Sequence, residues 1–565
     1  MTRTGLAQGR SRLGTADVSS NGNSAALRRW TANAPAPFAV LAVCVATLLI
    51  ASTYSVFSQT SDEGVHLATG MEWLDSGSYL LEPLHPPLAR IAVALGPYLA
   101  GTRSQGNTEV WTEGNLILEY QGHYQRTLTL ARLGILPFFW FASFVLWRFL
   151  ARTAGRWQAA VAVVLFVFCP PVLANASLAT TDLPLTAMFL AALVCFWNFL
   201  QDAKPSSAVL LGLTIGLAVL CKFSALPYLL ISCAALYVYV LLKQQQAPSW
   251  KYLVVTGLVA FLTIWAVYRF SVGPILHEKQ LRPVEIDQLR TLPPALAKFF
   301  FLRWVPAPEF FRGLGEAFGL TEKKRLAYLL GETYWGGRWY FFPVALAVKT
   351  PIPLLILATI GAARTLVRPR PAAVPLIGIA GPLGFAMMGP VNLGVRHILV
   401  IYPLLAMLGA WGFFWLWQTR GSREKTCAHR GLAALLMVWS IVTCIRAAPD
   451  FIPYFNELAA PYGSRILVDS DFDWGQDLKR LSAVVQQEHV DFLWIAYQGS
   501  ADLGPQGMPP SRTLLPNQKP AGWIAISEFV LKTAPQDFGW LEKYKPERRA
   551  GKTIRLYHFD IAPTG

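Results

Sequence analysis

Apolar residues run in windows of about 20 along most of this chain, each long enough to cross a hydrocarbon core roughly 30 Å thick. Eleven such segments can be marked, at about 37–57, 128–149, 158–175, 183–200, 207–221, 224–242, 252–270, 341–363, 372–390, 397–418 and 431–448. Polar residues gather in two long interruptions, 58–127 and 271–340, and beyond residue 449. There the pattern changes to short apolar runs. ILVDS (466–470), DFLWIAY (491–497), GWIAIS (522–527) and IRLYHF (554–559) read as strands, and WGQDLKRLSAVVQQ (474–487) reads as a helix between the first two. The expected fold is therefore a polytopic α-helical membrane protein of about 11 transmembrane helices with a small C-terminal α/β domain. Its expected parts are an arm (1–35), a transmembrane domain (36–448) with external loops 58–127 and 271–340, and a soluble domain (449–565).

The arm is rich in Ser, Asn, Arg and Gly and is expected to be disordered. A basic tail before an apolar run also fits a cleaved signal peptide, but 37–57 is longer than a signal core, which favours an uncleaved first helix. With the arm inside, the cytoplasmic loops hold Arg148/Arg152/Arg156, Lys204, Lys243/Lys251, Arg364/Arg368/Arg370 and Arg420/Arg423/Lys425/Arg430. The short external links 176–182, 222–223 and 391–396 hold only Lys222 and Arg396. That bias follows the positive-inside rule and puts the C-terminal domain outside. The long segment 271–340 translocates regardless of its charge. Its Pro293-Pro294, Phe299-Phe300-Phe301, Trp335 and Trp339-Tyr340-Phe341-Phe342 predict short helices at the membrane interface.

Composition agrees. The 565 residues are 54% hydrophobic and only 15% charged, where soluble domains carry about 25% charged residues. The net charge of +16 is explained by arginines in short loops, and no basic-aromatic motif argues for nucleic acid. Of seven cysteines, six lie in apolar spans and Cys427 in a basic loop, so disulfides are not expected.

The chemistry concentrates after the first span, in SDEGVHLATGMEWLDSGSYLLEPLHPPLARIAVALGPYLAG (61–101). Asp62, Glu63, His66, Glu72, Asp75, Glu82, His85 and Arg90 crowd this stretch, and ionisable groups at a membrane face are costly unless they meet water, a partner or a ligand. Further ones stand at outer span ends: Arg126, Arg132, Asp182, Lys222, Lys349, Arg396 and His397. Each alone reads equally as a snorkelling cation or a helix-capping acid. Their gathering on one side favours a site.

An Asp-Glu pair, a following histidine, Gly-x-Tyr and then His-Pro-Pro-Leu-x-basic resemble the first external loop of the protein O-mannosyltransferases. They also resemble that loop in bacterial relatives such as the lipid A aminoarabinose transferases. These C-type membrane glycosyltransferases take a sugar from a polyprenyl-phosphate carrier. The resemblance implies Asp62 as general base, with Glu63 supporting it or binding acceptor. It implies His85 and Arg90 at the carrier phosphate, and Asp182 as the acid of the second external loop. Lys222, in GLAVLCKFSAL, and Arg396-His397, in GVRHILVIYPLL, resemble segments of the bacterial relatives and are expected at the phosphate or acceptor, and Arg126 and Arg132 join that set. Pro86-Pro87 would start a juxtamembrane helix.

The implied activity moves a sugar from a polyprenyl-phosphate donor to a lipid, glycan or protein acceptor on the external face, by inverting displacement. The setting is the plasma (inner) membrane. A divalent metal stays open, because the sequence shows no complete ligand set. A transporter or flippase of lipid-linked sugars is the alternative, but its midplane ionisable pairs and internal repeats are not visible here. DSDFDWGQDL (469–478) has a calcium-loop look, yet its glycine falls one place late and no bidentate glutamate follows. A strand end and a helix N-capped by Asp473 are the plainer reading. Similar segments recur in bacterial members of the resembled family. No β-trefoil insertion is evident in 271–340, which puts a protein acceptor in doubt.

Overall fold

A computed structural model describes residues 35–243, 249–276, 293, 301, 303–322, 324–367 and 373–563. The expected disordered arm lies outside these residues, except for Pro35, as do Pro294, Phe299, Phe300, Arg368 and Arg370. All eleven apolar segments are helical. Among the described residues, seven helices are long and apolar enough to cross a membrane, and two more qualify as bent pairs. Pro205–Cys221 and Ala373–Met388 are shorter apolar helices. The helix Trp250–Val267 exposes Leu253, Val254, Leu258, Phe261 and Leu262. Apolar surface of that extent calls for lipid or a partner rather than water.

The two bends have local causes. Arg156–Val167 turns by 68° into Pro170–Ala176 at a Pro-Pro pair. Phe341–Lys349 turns by 115° into the next helix, Ile352–Val367, across Thr350-Pro351. Proline lacks the N–H that would continue the ladder and clashes with the preceding turn. Ile352–Val367 then meets Tyr402–Gln418 at glycines. A Cβ on Gly361 would stand 1.9 Å from the Leu408 carbonyl oxygen, and one on Gly412 would stand 2.0 Å from that of Leu357. Small residues let membrane helices approach this closely.

The first long polar interruption, 58–127, folds into helices Glu63–Asp75, Pro87–Leu99 and Val110–Leu118. Pro87–Leu99 buries Pro87, Ala89, Arg90, Val93 and Ala94 and exposes Leu95 and Leu99, an amphipathic face that suits a helix at the membrane surface. In the second long segment, strands β1 (Val272–Gly273) and β2 (Val305–Pro306) pair antiparallel, and β3 (Leu326–Leu329) and β4 (Glu332–Trp335) form a hairpin.

The C-terminal sheet holds β5 (Leu493–Ala496), β6 (Ser511–Thr513), β7 (Gly522–Ser527), β8 (Arg548–Ala550) and β9 (Ile554–Phe559), in the order β6-β5-β7-β9-β8. β5 runs parallel to β6 and β7, and β9 antiparallel to β7 and β8. Alternation along β7 sends Ile524 and Ile526 to one core with Leu531 and Leu541, and Ala525 to another with Leu481 and Val485.

Two expectations fail between residues 449 and 478. ILVDS forms no strand: Gly463–Ile466 is a helical turn and Asp469–Asp471 a 3-10 turn. Asp469 adopts φ +57°, which ends the extended run. The following helix begins at Leu478, not at 474, and its N-cap position is Asp477 rather than Asp473. Phe451, Ile452, Tyr454, Phe455, Leu467 and Trp474 share one hydrophobic core with the membrane helices. The sheet and its two cores come after them.

Candidate active site

Asp62 stands where the chain leaves the first span and enters the helix Glu63–Asp75. Three of the four residues before it, Ser58, Gln59 and Ser61, are bonded from far along the sequence. Ser58 N–H donates to the Gln476 carbonyl (3.1 Å), and Ser61 N–H donates to that of Trp474 (3.0 Å). The Gln59 amide donates to Asn115 Oδ1 (2.8 Å), and the Ser500 hydroxyl donates to the Ser61 carbonyl (3.0 Å). The Asp62 side chain therefore projects from a backbone held rigidly by the C-terminal part of the chain.

It projects onto Arg396. One Arg396 Nη lies 2.7 Å from Asp62 Oδ2 and 3.7 Å from Asp182 Oδ2. Lys222 Nζ lies 2.6 Å from the other Asp182 oxygen. The array thus alternates in sign: Asp62, Arg396, Asp182, Lys222. Asp182 is the first residue of the helix Asp182–Gln201, and Lys222 ends Pro205–Cys221. Arg396 sits on the 3-10 turn Val395–Ile401. The Asp62 side chain is 30% exposed, Arg396 and Lys222 11% and 12%, and Asp182 2%, so the array opens at the Asp62 end.

Its polar edges are not used up. Arg396 Nε, Asp182 Oδ2, His397 Nε2 and His85 Nδ1 are buried and have no hydrogen-bond partner. Burial pushes the Asp62 carboxyl up, but Arg396, His66 and Lys222 outweigh it and hold the group below its usual range. Burial, together with Arg90, Lys222, His66 and Arg396, keeps His85 neutral, well below the ordinary imidazole range.

The DSDFDWGQDL string forms the far wall. The guanidinium of Arg396 lies 4.1 Å from the centre of the Trp474 ring. Both Asp471 carboxylate oxygens accept from the Val395 N–H, at 3.1 and 3.2 Å, which orients the turn carrying Arg396. Gly394 has φ +142°, and a Cβ there would stand 2.5 Å from Ser470 Oγ, so this approach requires glycine. Lys349 Nζ donates to the Ile452 and Asp471 carbonyls (2.8 and 2.6 Å), which ties the 115° bend to the same string. Asp473 is buried and accepts from the Phe529 N–H at 2.8 Å.

Other expected members lie elsewhere. Glu63 and Arg132, each 1% exposed, form a buried pair at 2.8 Å. The Glu63 oxygens also take the N–H groups of Thr60 and Ala179 at 2.8 Å, while Arg132 reaches the Phe57 and Ser58 carbonyls. These bonds tie the Glu63–Arg132 pair to the loop backbone at Phe57, Ser58 and Thr60 and to Ala179. Arg90 is likewise spent: it pairs with Glu82 and donates to the Tyr79 hydroxyl (3.1 Å) and His66 Nδ1 (3.2 Å). Arg126 is exposed on the helix Tyr124–Leu133. Sequence reasoning passed over Trp474, Asp471 and Asp469 as site residues, although their string stood out by composition.

Among the described residues, no group of three or more His, Cys, Asp or Glu side chains converges to hold a metal ion. Asp62 and Asp182 each already face a cation, so the residues present do not fit a resident metal.

The bundle of apolar helices with a charged array at its rim has a fold similar to that of the C-type membrane glycosyltransferases. Comparison with known proteins agrees. Residues 130–268 match the family model described as dolichyl-phosphate-mannose-protein mannosyltransferase. Among solved structures, the chain is similar to apo ArnT from Cupriavidus metallidurans at 14% identity and a TM-score of 0.51, covering 94% of this chain and 100% of that one. ArnT from the same organism bound to undecaprenyl phosphate matches at 14% identity and TM-score 0.47, covering 93% and 99%. The archaeal oligosaccharyltransferase AglB from Archaeoglobus fulgidus, in complex with an inhibitory peptide and a dolichol-phosphate, matches at 11% identity and TM-score 0.47, covering 90% and 72%. A search of curated proteins gives no match.

Proposed function

We propose that the protein is an integral membrane glycosyltransferase that moves one sugar from a polyprenyl-phosphate donor to an acceptor hydroxyl or amine on the external face. The observation carrying this reading is the Asp62–Arg396–Asp182–Lys222 array with its unpaired polar edges. The matched family's description supplies the donor class, a dolichyl-phosphate sugar.

As the glycosidic bond breaks, negative charge builds on the departing phosphate, and fixed cations stabilise it most where water is excluded. Arg396 and Lys222 are such cations, and the unpartnered ring nitrogens of His85 and His397 offer further hydrogen bonds. Asp62, at the exposed end of the array, takes the proton from the acceptor as it attacks the anomeric carbon. Attack and departure on opposite faces give inversion, as in the two-sided geometry of inverting glycosidases. The incoming phosphate competes with Asp62 for Arg396. Every guanidinium contact it wins raises the basicity of that carboxylate.

The test is release of polyprenyl phosphate from a panel of polyprenyl-phosphate sugars by the purified wild type and by Asp62→Asn. Release by the wild type that is lost in the variant, with donor binding intact, supports the reading. Equal release by both removes Asp62 from the mechanism. Donor binding without release from any donor, acceptors present, overturns transfer in favour of transport.

A further inference from the structure

Beside the charged array, Asp469 opens a second, smaller cleft that the transfer chemistry does not use. Tyr328, Phe341, Asn392, Phe529 and Thr533 line it with Asp469, bringing together the β3–β4 hairpin, the turn before Arg396 and the C-terminal module. Its interior has room for one water-sized group, not for a whole ring.

Two acceptors line it, and one of them, the buried Asn392 Oδ1, has no donor. Asn392 is 3% exposed, and its amide nitrogen donates to the Tyr334 hydroxyl (3.1 Å) and the Arg338 carbonyl (3.2 Å). That fixes the amide's orientation and leaves its buried Oδ1 without a partner. One Asp469 oxygen takes only the neighbouring Ser470 N–H at 2.7 Å. Burial raises the Asp469 carboxyl to about 6, against the opposing pull of Arg396. A buried acceptor left unpaired is costly, so the cleft is short of a hydrogen-bond donor.

The surroundings select which donor. An anion would face the Asp469 carboxyl. A cation would share the field of Arg396, which already acts on Asp469. A neutral hydroxyl satisfies both acceptors at no charge cost, and the aromatic walls suit the apolar face of a sugar. We propose that the Asp469–Asn392 cleft is a subsite that reads one hydroxyl group of a sugar placed beside the transfer centre. The inference rests on the glycosyltransferase reading, which supplies sugar hydroxyls on the donor and on a glycan acceptor alike.

Saturation-transfer NMR on the full chain in detergent micelles tests it, with methyl glycosides and their single-deoxy analogues as probes. A glycoside that binds the wild type is expected to lose binding when one particular hydroxyl is removed. Asp469→Ala, Asn392→Ala and the cleft-filling Thr533→Phe should each weaken that glycoside at least about tenfold, because a site built to bond a hydroxyl rejects its absence strongly. Displacement by a polyprenyl-phosphate sugar identifies the hydroxyl as the donor's, and undiminished binding in its presence identifies it as the acceptor's. Absence of glycoside binding to the wild type, or binding indifferent to all three cleft variants, overturns the subsite. If such indifference accompanies normal release of polyprenyl phosphate, the subsite alone falls. Cleft-dependent glycoside binding without release from any donor leaves the subsite standing and removes transfer.

Discussion

Asp62 and Glu63 are neighbours in sequence, both acidic and both paired to an arginine, yet their surroundings differ in kind. Glu63 is 1% exposed, and each of its oxygens is matched by Arg132 and by a backbone N–H. Asp62 is 30% exposed and shares its arginine with a second carboxylate, in an array whose atoms are left partly unpaired. A buried ion pair holds a structure when its hydrogen bonds are complete, and becomes chemistry when they are not. Identity and position along the chain do not distinguish the two residues. Completeness of bonding does.

The comparison can be broken experimentally. Asp62→Asn should lower transfer by about 10²–10⁴-fold, the usual worth of a positioned acid or base, with thermal stability close to wild type. Glu63→Gln should do the reverse in kind. Leaving Arg132 buried without its counter-charge costs about 3–5 kcal/mol of stability, seen as a lower melting temperature and less folded protein, while activity per folded molecule is largely kept. Arg396→Lys keeps the charge but gives up the planar fork and its stacking on Trp474, so the donor KM should rise about tenfold, with a smaller change in kcat. Equal effects of the Asp62 and Glu63 substitutions on activity per folded molecule would erase the distinction.

The smallest expected effect is a pH slope. Burial raises Asp473 from its ordinary range to about 7, so between the unfolded and folded values the folded chain holds a proton that the unfolded chain does not. Stability from this group is full below about 4 and declines as pH rises towards 7. Asp473→Asn, neutral at every pH, should flatten that part of the melting-temperature profile between pH 5 and 7 relative to wild type. An unchanged slope would show that Asp473 is not protonated in the folded state.

The helices were readable because their signal is local: an apolar window of sufficient length declares itself. GWIAIS and IRLYHF were readable for the same reason, since alternation over six residues matches β7 and β9. Asp62, Asp182, Lys222 and Arg396 could be proposed from motif and topology, and the structure brings them together. What could not be read were the partners. Nothing near Asp471 in sequence announces that it will bond Val395, 76 residues away, and nothing in Arg90 shows that Glu82, Tyr79 and His66 consume its donors. ILVDS has a strand's composition, but its Ile466 carbonyl takes the Leu330 N–H, its Ser470 hydroxyl donates to the Leu393 carbonyl, and its buried Leu467 packs into the core of the membrane helices. Local propensity yields to such contacts.

The bonds from Ser58 and Ser61 to Gln476, Trp474 and Ser500 also carry a lesson about biogenesis. They join positions more than 400 residues apart, so the loop presenting Asp62 is completed by residues made very late in synthesis. A chain cut short after the helix Arg423–Ala447 has its apolar helices but lacks the bonds from Trp474, Gln476 and Ser500 to the backbone before Asp62. Assembly order therefore matters: the turn that carries Asp62 is complete only once the segment around residues 474–500 has docked on it.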